Sequence, residues 1–276
     1  WLQEFAKHFE RVEVICLSKG KYDLPANVRV HSLGKERGAA CRAAYAFRFL
    51  SLVWRLRNEY DAAFVHMNPE YLVLAGWFWK LLGKKTALWY THKSVDLKLH
   101  IAVFWADTVF TASKESFRLK TSKLRVMGHG IDTDFFSPDP SIQREGWLLS
   151  VGRLMRAKRH DLAIREAARS NTALRIAGDG PERAHLEALA KELGADVTFL
   201  GACSPEKLRD MYRRAARLIH RSETGSLDKV VLEAAACGLQ VDSTDSAIAQ
   251  LPLSSEYVRA HHSLVPLISR LCEALV

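Results

Sequence analysis

Short apolar runs alternate with amphipathic stretches along most of this chain of 276 residues. Residues 62–67 form an almost continuously apolar run, which is typical of a strand buried on both faces of a parallel sheet. Residues 39–59 instead repeat apolar side chains at helical spacing. Because parallel strands need a crossover connection, which is usually a helix, the alternation predicts a doubly wound α/β fold.

The alternation stops at residues 137–141 (SPDPS) and then starts again. Polar, proline-containing segments of this kind are typical of linkers. We therefore expect two Rossmann-like domains, residues 1–140 and 141–276, that face each other across a cleft. Ligands of such sheets bind beyond the carboxyl ends of the strands, so functional residues should follow strands. The predicted strands are residues 12–17, 28–33, 62–67, 86–90, 108–111 and 124–127 in the first domain, and residues 147–151, 173–177, 197–200, 218–220 and 239–241 in the second.

Positive charge is concentrated in the first domain. Residues 1–140 contain 21 Lys and Arg against 14 Asp and Glu, residues 141–276 contain 19 against 17, and the whole chain has a net charge of +9. A basic surface attracts anionic lipid, nucleic acid or a phosphorylated substrate. No nucleic-acid-binding motif accompanies the charge, so we expect no nucleic acid partner. The ordinary interpretation is a solvated basic face that aids solubility, and an anionic membrane surface is the favoured one among the partners.

The five cysteines are scattered, odd in number and without CxxC spacing. This pattern argues against a disulfide framework and against a zinc site, and it is typical of proteins from a reducing compartment. We therefore expect a cytoplasmic protein. The basic first domain would favour peripheral attachment to the inner face of the membrane.

Residues 222–238 (SETGSLDKVVLEAAACG) have the clearest chemical meaning. They predict a polar turn that leads directly into a helix closed by Gly238, with Ser226 as a capping residue. The free N–H groups and the partial positive charge at the start of such a helix suit a phosphate. Glu233, further along the helix, would reach a ribose attached to that phosphate. The ordinary alternative is that Lys229 and Glu233 form a surface ion pair at i,i+4 spacing.

The second half of the chain contains four motifs: residues 151–158 (VGRLMRAK), 176–182 (IAGDGPE), 197–201 (VTFLG) and 222–239. In order and spacing they resemble the donor domain of the retaining glycosyltransferases of family 4, which have the GT-B architecture. Residues 90–92 (YTH) and 128–132 (GHGID) extend the resemblance more loosely to the acceptor domain of the same family.

This resemblance implies an activity. The chain would transfer a sugar, with retention of anomeric configuration, from a UDP- or GDP-sugar to the hydroxyl of a glycan or lipid-linked acceptor. It would need no metal and no other cofactor. Residues 1–140 would be the acceptor side and residues 141–276 the donor side, and the product would belong to cell-envelope glycan or glycolipid synthesis.

The resemblance also assigns roles to individual residues. Arg153 and Lys158 match the pair that neutralises the diphosphate, and both are expected to be catalytic. Glu233 matches the carboxylate that binds the ribose hydroxyls. His92 follows a strand where the family places a histidine near the transferred sugar, so a catalytic role is expected; the alternative is a structural histidine satisfied by a backbone carbonyl. The expected donor-binding residues are Gly152, Arg153, Lys158, Gly178, Gly225, Ser226, Leu227, Asp228, Lys229 and Glu233.

The chain departs from the family pattern at Gly225, where the first of two paired glutamates is expected. Glu223 and Asp228 both lie close enough to replace it. Asp242 places a charge in a strand that is normally apolar, which is unfavourable if the carboxylate is buried and unpaired. The chain also starts at Trp1, inside the expected first helix and without the opening strand and glycine-rich loop, so we expect an N-terminally trimmed copy.

These departures keep two other functions open. One is a non-catalytic homologue that binds a nucleotide sugar or a partner protein. The other is a different Rossmann enzyme, such as a nicotinamide-dependent one. The second is disfavoured because Arg183 occupies the third glycine position of a GxGxxG motif.

Overall fold

The computed structural model describes residues 1–38, 41–223, 227–245, 248 and 250–276. The elements up to residue 126 are α1 (Leu2–Phe5), β1 (Val12–Cys16), β2 (Val28–Ser32), α2 (Arg42–Arg55), β3 (Ala62–His66), α3 (Glu70–Leu81), β4 (Lys85–Trp89), α4 (Leu97–Trp105), β5 (Thr108–Thr111) and β6 (Leu124–Val126). Those that follow are β7 (Leu148–Val151), α5 (His160–Ser170), β8 (Leu174–Ala177), α6 (Arg183–Glu192), β9 (Val197–Gly201), α7 (Pro205–Arg214), β10 (Arg217–His220), α8 (Lys229–Ala236), β11 (Val241–Ser243), α9 (Ser255–His262) and α10 (Leu264–Glu273). These strands pair with one another in parallel, so the doubly wound α/β prediction is confirmed.

The chain forms two compact units, and their limits differ from the expected boundary at residue 140. Unit 1 contains Trp1–Gly130 and Leu264–Val276, and unit 2 contains Ile131–Ser263. Residues before the SPDPS segment already belong to unit 2, because Ile131 and Phe136 are buried in its core. At the other end, α10 belongs to unit 1, because its apolar face packs there rather than in the second half of the chain.

Unit 1 contains two parallel sheets, one of β1 and β2 and one with the strand order β3-β4-β5-β6. Helices α2, α3 and α4 cover one face of the larger sheet, where Leu72, Leu88 and Leu99 are fully buried. Helices α1 and α10 cover the other face, where Trp89 and Phe110 are buried. The larger sheet is therefore covered on both faces, as its almost continuously apolar strands predict.

Unit 2 contains one parallel sheet with the order β11-β10-β7-β8-β9. Helices α7 and α8 cover one face around Tyr212 and Leu232, and helices α5 and α6 cover the other around Ile164 and Leu186. Strands β10, β7 and β8 lie side by side in the middle of this sheet. Because they are parallel, their carboxyl ends meet at one edge, and the residues that follow them are brought together.

Strand β11 was predicted to begin at Leu239, but it begins at Val241. Gly238 has a positive φ of 71° and ends α8, and the N–H of Leu239 donates to the carbonyl of Ala234 at 3.0 Å. These two residues close the helix in the way glycine-terminated helices commonly do, so they are not available to the sheet.

Asp242 in β11 is half-buried but not unpaired. Arg221 lies 2.9 Å from its carboxylate and Arg217 lies 3.3 Å from it. Both arginines also pair with Glu166 of α5, at 2.7 Å and 3.0 Å. The charge that looked unfavourable from the sequence is thus one member of a four-residue ion-pair network that ties α5 to β10 and β11.

All five cysteines are free thiols, as expected for a chain without a disulfide framework. Of the helices that the structure describes, none has both the length and the apolar character needed to cross a membrane.

Candidate functional site

Three loops of unit 2 meet beyond the carboxyl ends of β7, β8 and β10. They are residues 152–159, residues 178–180 and residues 221–228, of which 224–226 are not described. The first loop holds Arg153 and Lys158, and the last leads into α8. Residues from three of the four sequence motifs therefore lie at one edge of the sheet.

The glycines of the second loop allow the first two loops to pack against each other. A Cβ atom on Gly178 would lie 1.9 Å from the carbonyl oxygen of Gly152, and one on Gly180 would lie 2.3 Å from that of Leu154. Backbone bonds join the loops as well, because the N–H of Leu154 donates to the carbonyl of Asp179 at 3.0 Å. Gly178 thus acts by letting backbones approach closely, which fixes the loop that carries Arg153 and Lys158.

Lys158 lies at the N-terminus of α8, where the ammonium forms an ion pair with Asp228. The same carboxylate oxygen, Oδ2 of Asp228, accepts a hydrogen bond of 2.9 Å from Nε2 of His220. The hydroxyl of Ser243 lies 3.0 Å from the other ring nitrogen of His220 and can donate to it. His220 is the last residue of β10 and is 4% exposed, so a buried strand end holds this group in place.

Asp228 is the first residue before α8, and its carboxylate stays ionised over a wide pH range. Burial alone would raise the pKa of Asp228, but the hydrogen bond from His220 and the charge of Lys158 outweigh it and lower the pKa to about 2. A negative charge is also favoured at a helix N-terminus. The place beside Lys158 therefore attracts an anion, and a carboxylate of this chain occupies it.

Arg153 is exposed, and no described residue forms a side-chain hydrogen bond or an ion pair with it. Arg159, at the end of the same loop, forms ion pairs with Asp161 and with Glu223. The N–H of Glu223 in turn donates to the carbonyl of Ala157 at 2.9 Å. Of the two carboxylates that lie near the missing first glutamate, Glu223 is therefore held by Arg159 and Asp228 by Lys158.

Glu233 lies on the buried side of α8. The hydroxyl of Tyr212 donates to its Oε2 at 3.3 Å, and the ammonium of Lys229 lies 4.0 Å from Oε1. Burial raises the pKa of Glu233, although Lys229 and Tyr212 oppose this effect. The predicted surface pair with Lys229 exists, but it is the weaker of the two contacts, because 4.0 Å is too long for a hydrogen bond.

The remaining expected donor-site residues are Leu227, Gly225, Ser226 and Gly152. Leu227 is buried in the core of unit 2 beside Val231, so only its backbone is available to a ligand. Gly225 and Ser226 lie outside the described residues. Gly152 has a φ of 148°, which favours glycine, and it directly precedes Arg153.

His92 is part of unit 1, where it follows β4 and is exposed. Its Nδ1 accepts a hydrogen bond of 3.0 Å from the N–H of Ser94. The partner is therefore a backbone N–H and not the backbone carbonyl of the structural alternative, and the exposed ring keeps Nε2 available.

Sequence reasoning missed His220 and Tyr212. A signal for His220 was present, because a histidine at the carboxyl end of a predicted strand lies where ligand-binding residues are expected. Tyr212 gave no such signal, because a tyrosine on the apolar side of an amphipathic helix usually belongs to the core.

Part of the chain matches a known protein family. Residues 132–250 match the family described as glycosyl transferases group 1. The gpi3 subunit of the phosphatidylinositol N-acetylglucosaminyltransferase of Schizosaccharomyces pombe is 32% identical over 135 residues, which cover 46% of this chain and 30% of that protein. The D-inositol 3-phosphate glycosyltransferase of Acidothermus cellulolyticus is 36% identical over 145 residues, which cover 43% of this chain and 32% of that protein. The chain thus spans about a third of the length of these curated relatives.

A solved structure shows the same fold over nearly the whole chain. Anabaena Alr3699/HepE, in complex with UDP and glucose, has a TM-score of 0.73 at 16% identity and covers 99% of this chain and 94% of that one. At this identity the likeness shows the fold alone. The resemblance seen in the four motifs is confirmed: the chain has the GT-B fold, and its residues 132–250 match the family described as glycosyl transferases group 1.

Proposed function

We propose that this chain is a retaining glycosyltransferase that moves a sugar from a UDP- or GDP-sugar to an acceptor hydroxyl without a metal ion. Unit 2 binds the donor, and unit 1 provides the acceptor side with His92. The acceptor is a glycan or a lipid-linked molecule of cell-envelope or glycolipid synthesis, and transfer takes place on the cytoplasmic side of the membrane. This activity is assigned to the whole chain, although the chain spans only about a third of the length of its curated relatives.

The observation that carries the proposal is the position of Lys158 and Arg153. Both follow β7, and Lys158 lies at the N-terminus of α8. Cleavage of a sugar from a nucleotide diphosphate leaves negative charge on the diphosphate, and fixed cations and helix N-termini stabilise such charge. Arginine offers a planar pair of donors and lysine a compact charge, which are the groups expected around phosphate oxygens.

Glu233 supplies the second part of the donor site. It lies one turn further along α8 than Lys229, and Tyr212 holds one of its carboxylate oxygens. The other oxygen can accept hydrogen bonds from two adjacent ribose hydroxyls. HepE, the structural neighbour, is described in complex with UDP and glucose, which supports a nucleotide sugar as the donor class.

Calorimetric titration with UDP, GDP and ADP in the presence of EDTA tests this site. We expect one nucleotide to bind, and we expect Lys158→Met and Glu233→Ala to lose most of the affinity. Lys191→Met is the matched control, because Lys191 is an exposed lysine at the end of α6. A folded protein that binds none of the three nucleotides would refute the donor site.

A second function is favoured by one observation, namely that Asp228 already neutralises Lys158. A homologue with this ion pair, and without the first glutamate at Gly225, suits a non-catalytic nucleotide-sugar-binding or partner-binding role. Turnover separates the two functions. Release of nucleotide from the matching nucleotide sugar, with an α-linked product detected by NMR from an α-linked donor, supports the retaining enzyme, whereas tight binding with no turnover supports the binding protein.

A further inference from the structure

Helix α2 is apolar on two different sides. Phe49 and Val53 are buried in the core of unit 1. Phe47, Leu50 and Trp54 form a second stripe at i, i+3 and i+7 spacing, and Phe47 is 75% exposed and Trp54 57% exposed. A helix that only covers a sheet needs the first stripe and not the second.

The exposed stripe continues onto the two neighbouring helices. The ring of Trp54 lies 5.6 Å from that of Phe78 in α3, and Trp105 of α4 packs directly against Gly76 of α3. The buried residues of all three helices join one core on the same side of the sheet, so their outer surfaces form one side of unit 1. We call this side the α2–α4 face, and its exposed apolar residues are Phe47, Leu50, Trp54, Trp77, Leu81, Leu97 and Phe104.

Large exposed apolar side chains in such a cluster usually mark an interaction surface. On this face Leu81 is 77% exposed, Phe104 is 69% exposed and Trp77 is 52% exposed. Single exposed apolar residues are normal on protein surfaces. Exposed apolar residues on three adjacent helices instead indicate a site of interaction.

The charge of α2 indicates what covers the face. Between Cys41 and Asn58 the chain carries four arginines and no acidic residue. The guanidinium of Arg57 lies over the ring of Trp54 at 4.5 Å, and Arg55 is exposed with no ion pair to any described residue. In α3 and α4, by contrast, Lys80 and Lys98 are paired with acidic residues, so the excess positive charge belongs to α2.

A second copy of this chain is a poor fit to the face, because a symmetric pair would bring the arginines of two α2 helices together. A layer of anionic headgroups above hydrocarbon fits both properties. Helices with exposed aromatic residues beside arginines bind in that boundary, and each basic residue near an anionic surface adds to the attraction.

We propose that the α2–α4 face docks unit 1 onto a membrane that contains anionic lipids. Trp54 and Phe47 enter the headgroup boundary, and Arg55 and Arg57 contact the lipid phosphates. This surface lies within unit 1, and its lipid binding does not depend on the proposed sugar transfer.

Vesicle flotation without nucleotide or acceptor tests the proposal. We expect the protein to float with vesicles of phosphatidylcholine mixed with phosphatidylglycerol, and not with phosphatidylcholine alone. The double variant Phe47→Ser/Trp54→Ser should bind about tenfold more weakly or not at all. The control Tyr22→Ser, which changes an exposed aromatic residue elsewhere in unit 1, should bind like the wild type.

Charge is tested separately with Arg55→Glu/Arg57→Glu, for which we also expect a loss of about tenfold or more, against Arg118→Glu as the control. Circular dichroism and thermal unfolding of each variant show that it is folded. Equal binding to both vesicle types, or no effect of the face variants, would overturn the proposal. A concentration-dependent dimer that Phe47→Ser/Trp54→Ser abolishes, without vesicle binding, would instead assign the face to contact between copies and would overturn it as well.

Discussion

Replacement of Asp228 by asparagine should strengthen the binding of a nucleoside diphosphate while it weakens the fold. The carboxylate of Asp228 lies beside Lys158, where the proposed function places a phosphate. Asparagine has the same shape and keeps a hydrogen-bond acceptor for His220, but it removes the negative charge. The incoming diphosphate then meets the ammonium of Lys158 without a competing anion.

Electrostatics gives the order of magnitude of both effects. Two unit charges about 8 Å apart in a site with an effective dielectric constant of about 20 repel by about 2 kcal/mol, which corresponds to roughly 30-fold in affinity. In the opposite direction, the pKa of Asp228 falls from its ordinary 3.8 to about 2. A difference of this size corresponds to about 2 kcal/mol of stability at neutral pH, which Asp228→Asn should lose.

The pH dependence gives an independent check. Because the pKa of the folded state lies below the ordinary value, the stabilisation by Asp228 is fully present above about pH 4 and is lost as the pH falls through about 2. Asp228→Asn should therefore show a flatter loss of stability in this range than the wild type.

Calorimetry with UDP and GDP measures the affinity, and urea unfolding measures the stability. Glu223→Gln is the matched control, because it neutralises an acidic residue of the same loop that pairs with Arg159 and not with Lys158. If Asp228→Asn binds the nucleotide more weakly than the wild type, Asp228 positions Lys158 for the phosphate and the competition argument is refuted.

Further predictions concern the framework of unit 2. Burial lowers the pKa of His160 to about 4, so the contribution of the neutral ring to stability is full above about pH 6.5 and is lost as the pH falls to 4. This loss amounts to about 3 kcal/mol. His160→Gln should flatten it, as measured by urea unfolding at a series of pH values. Arg144 donates hydrogen bonds of 2.7–3.0 Å to carbonyls at the ends of α7 and α8, so Arg144→Met should lower the free energy of unfolding by about 2 kcal/mol, whereas the exposed Arg165→Met should not. Tyr212→Phe removes a buried donor to Glu233 and should cost about 1 kcal/mol in the same assay, and an unchanged stability would contradict the hydrogen bond.

Most of the fold follows from periodicity in the sequence. Strands such as β5 begin and end where they were predicted, because a buried parallel strand and an amphipathic helix differ clearly in their apolar spacing. Helix α9 was not predicted, although Ser254 caps it and Glu256 follows in the first turn. The allocation of α10 to unit 1 could not be predicted, since an apolar helix face does not say which sheet it will cover.

The sequence predicted which residues belong to the candidate site, but it did not predict the contacts between their side chains. The motifs place Lys158 and Asp228 at one edge of the sheet, yet only the structure shows that they pair with each other and that His220 joins them. Spacing along the chain gives the strand end at which a residue lies. It does not give the direction of a side chain, which depends on its neighbours across the sheet.

The return of α10 to unit 1 determines the order in which the two units can be completed during synthesis. Unit 2 is a continuous segment whose first and last residues, Ile131 and Ser263, are bridged to each other, so it can fold as soon as it has left the ribosome. Unit 1 is discontinuous, and one face of its larger sheet is covered only in part, by α1, until Leu267 and Leu271 arrive. The part of unit 1 that precedes unit 2 in the chain is therefore completed after it, and a nascent chain that is released before residue 264 would contain a complete unit 2 and a unit 1 whose sheet exposes apolar surface that chaperones and proteases recognise.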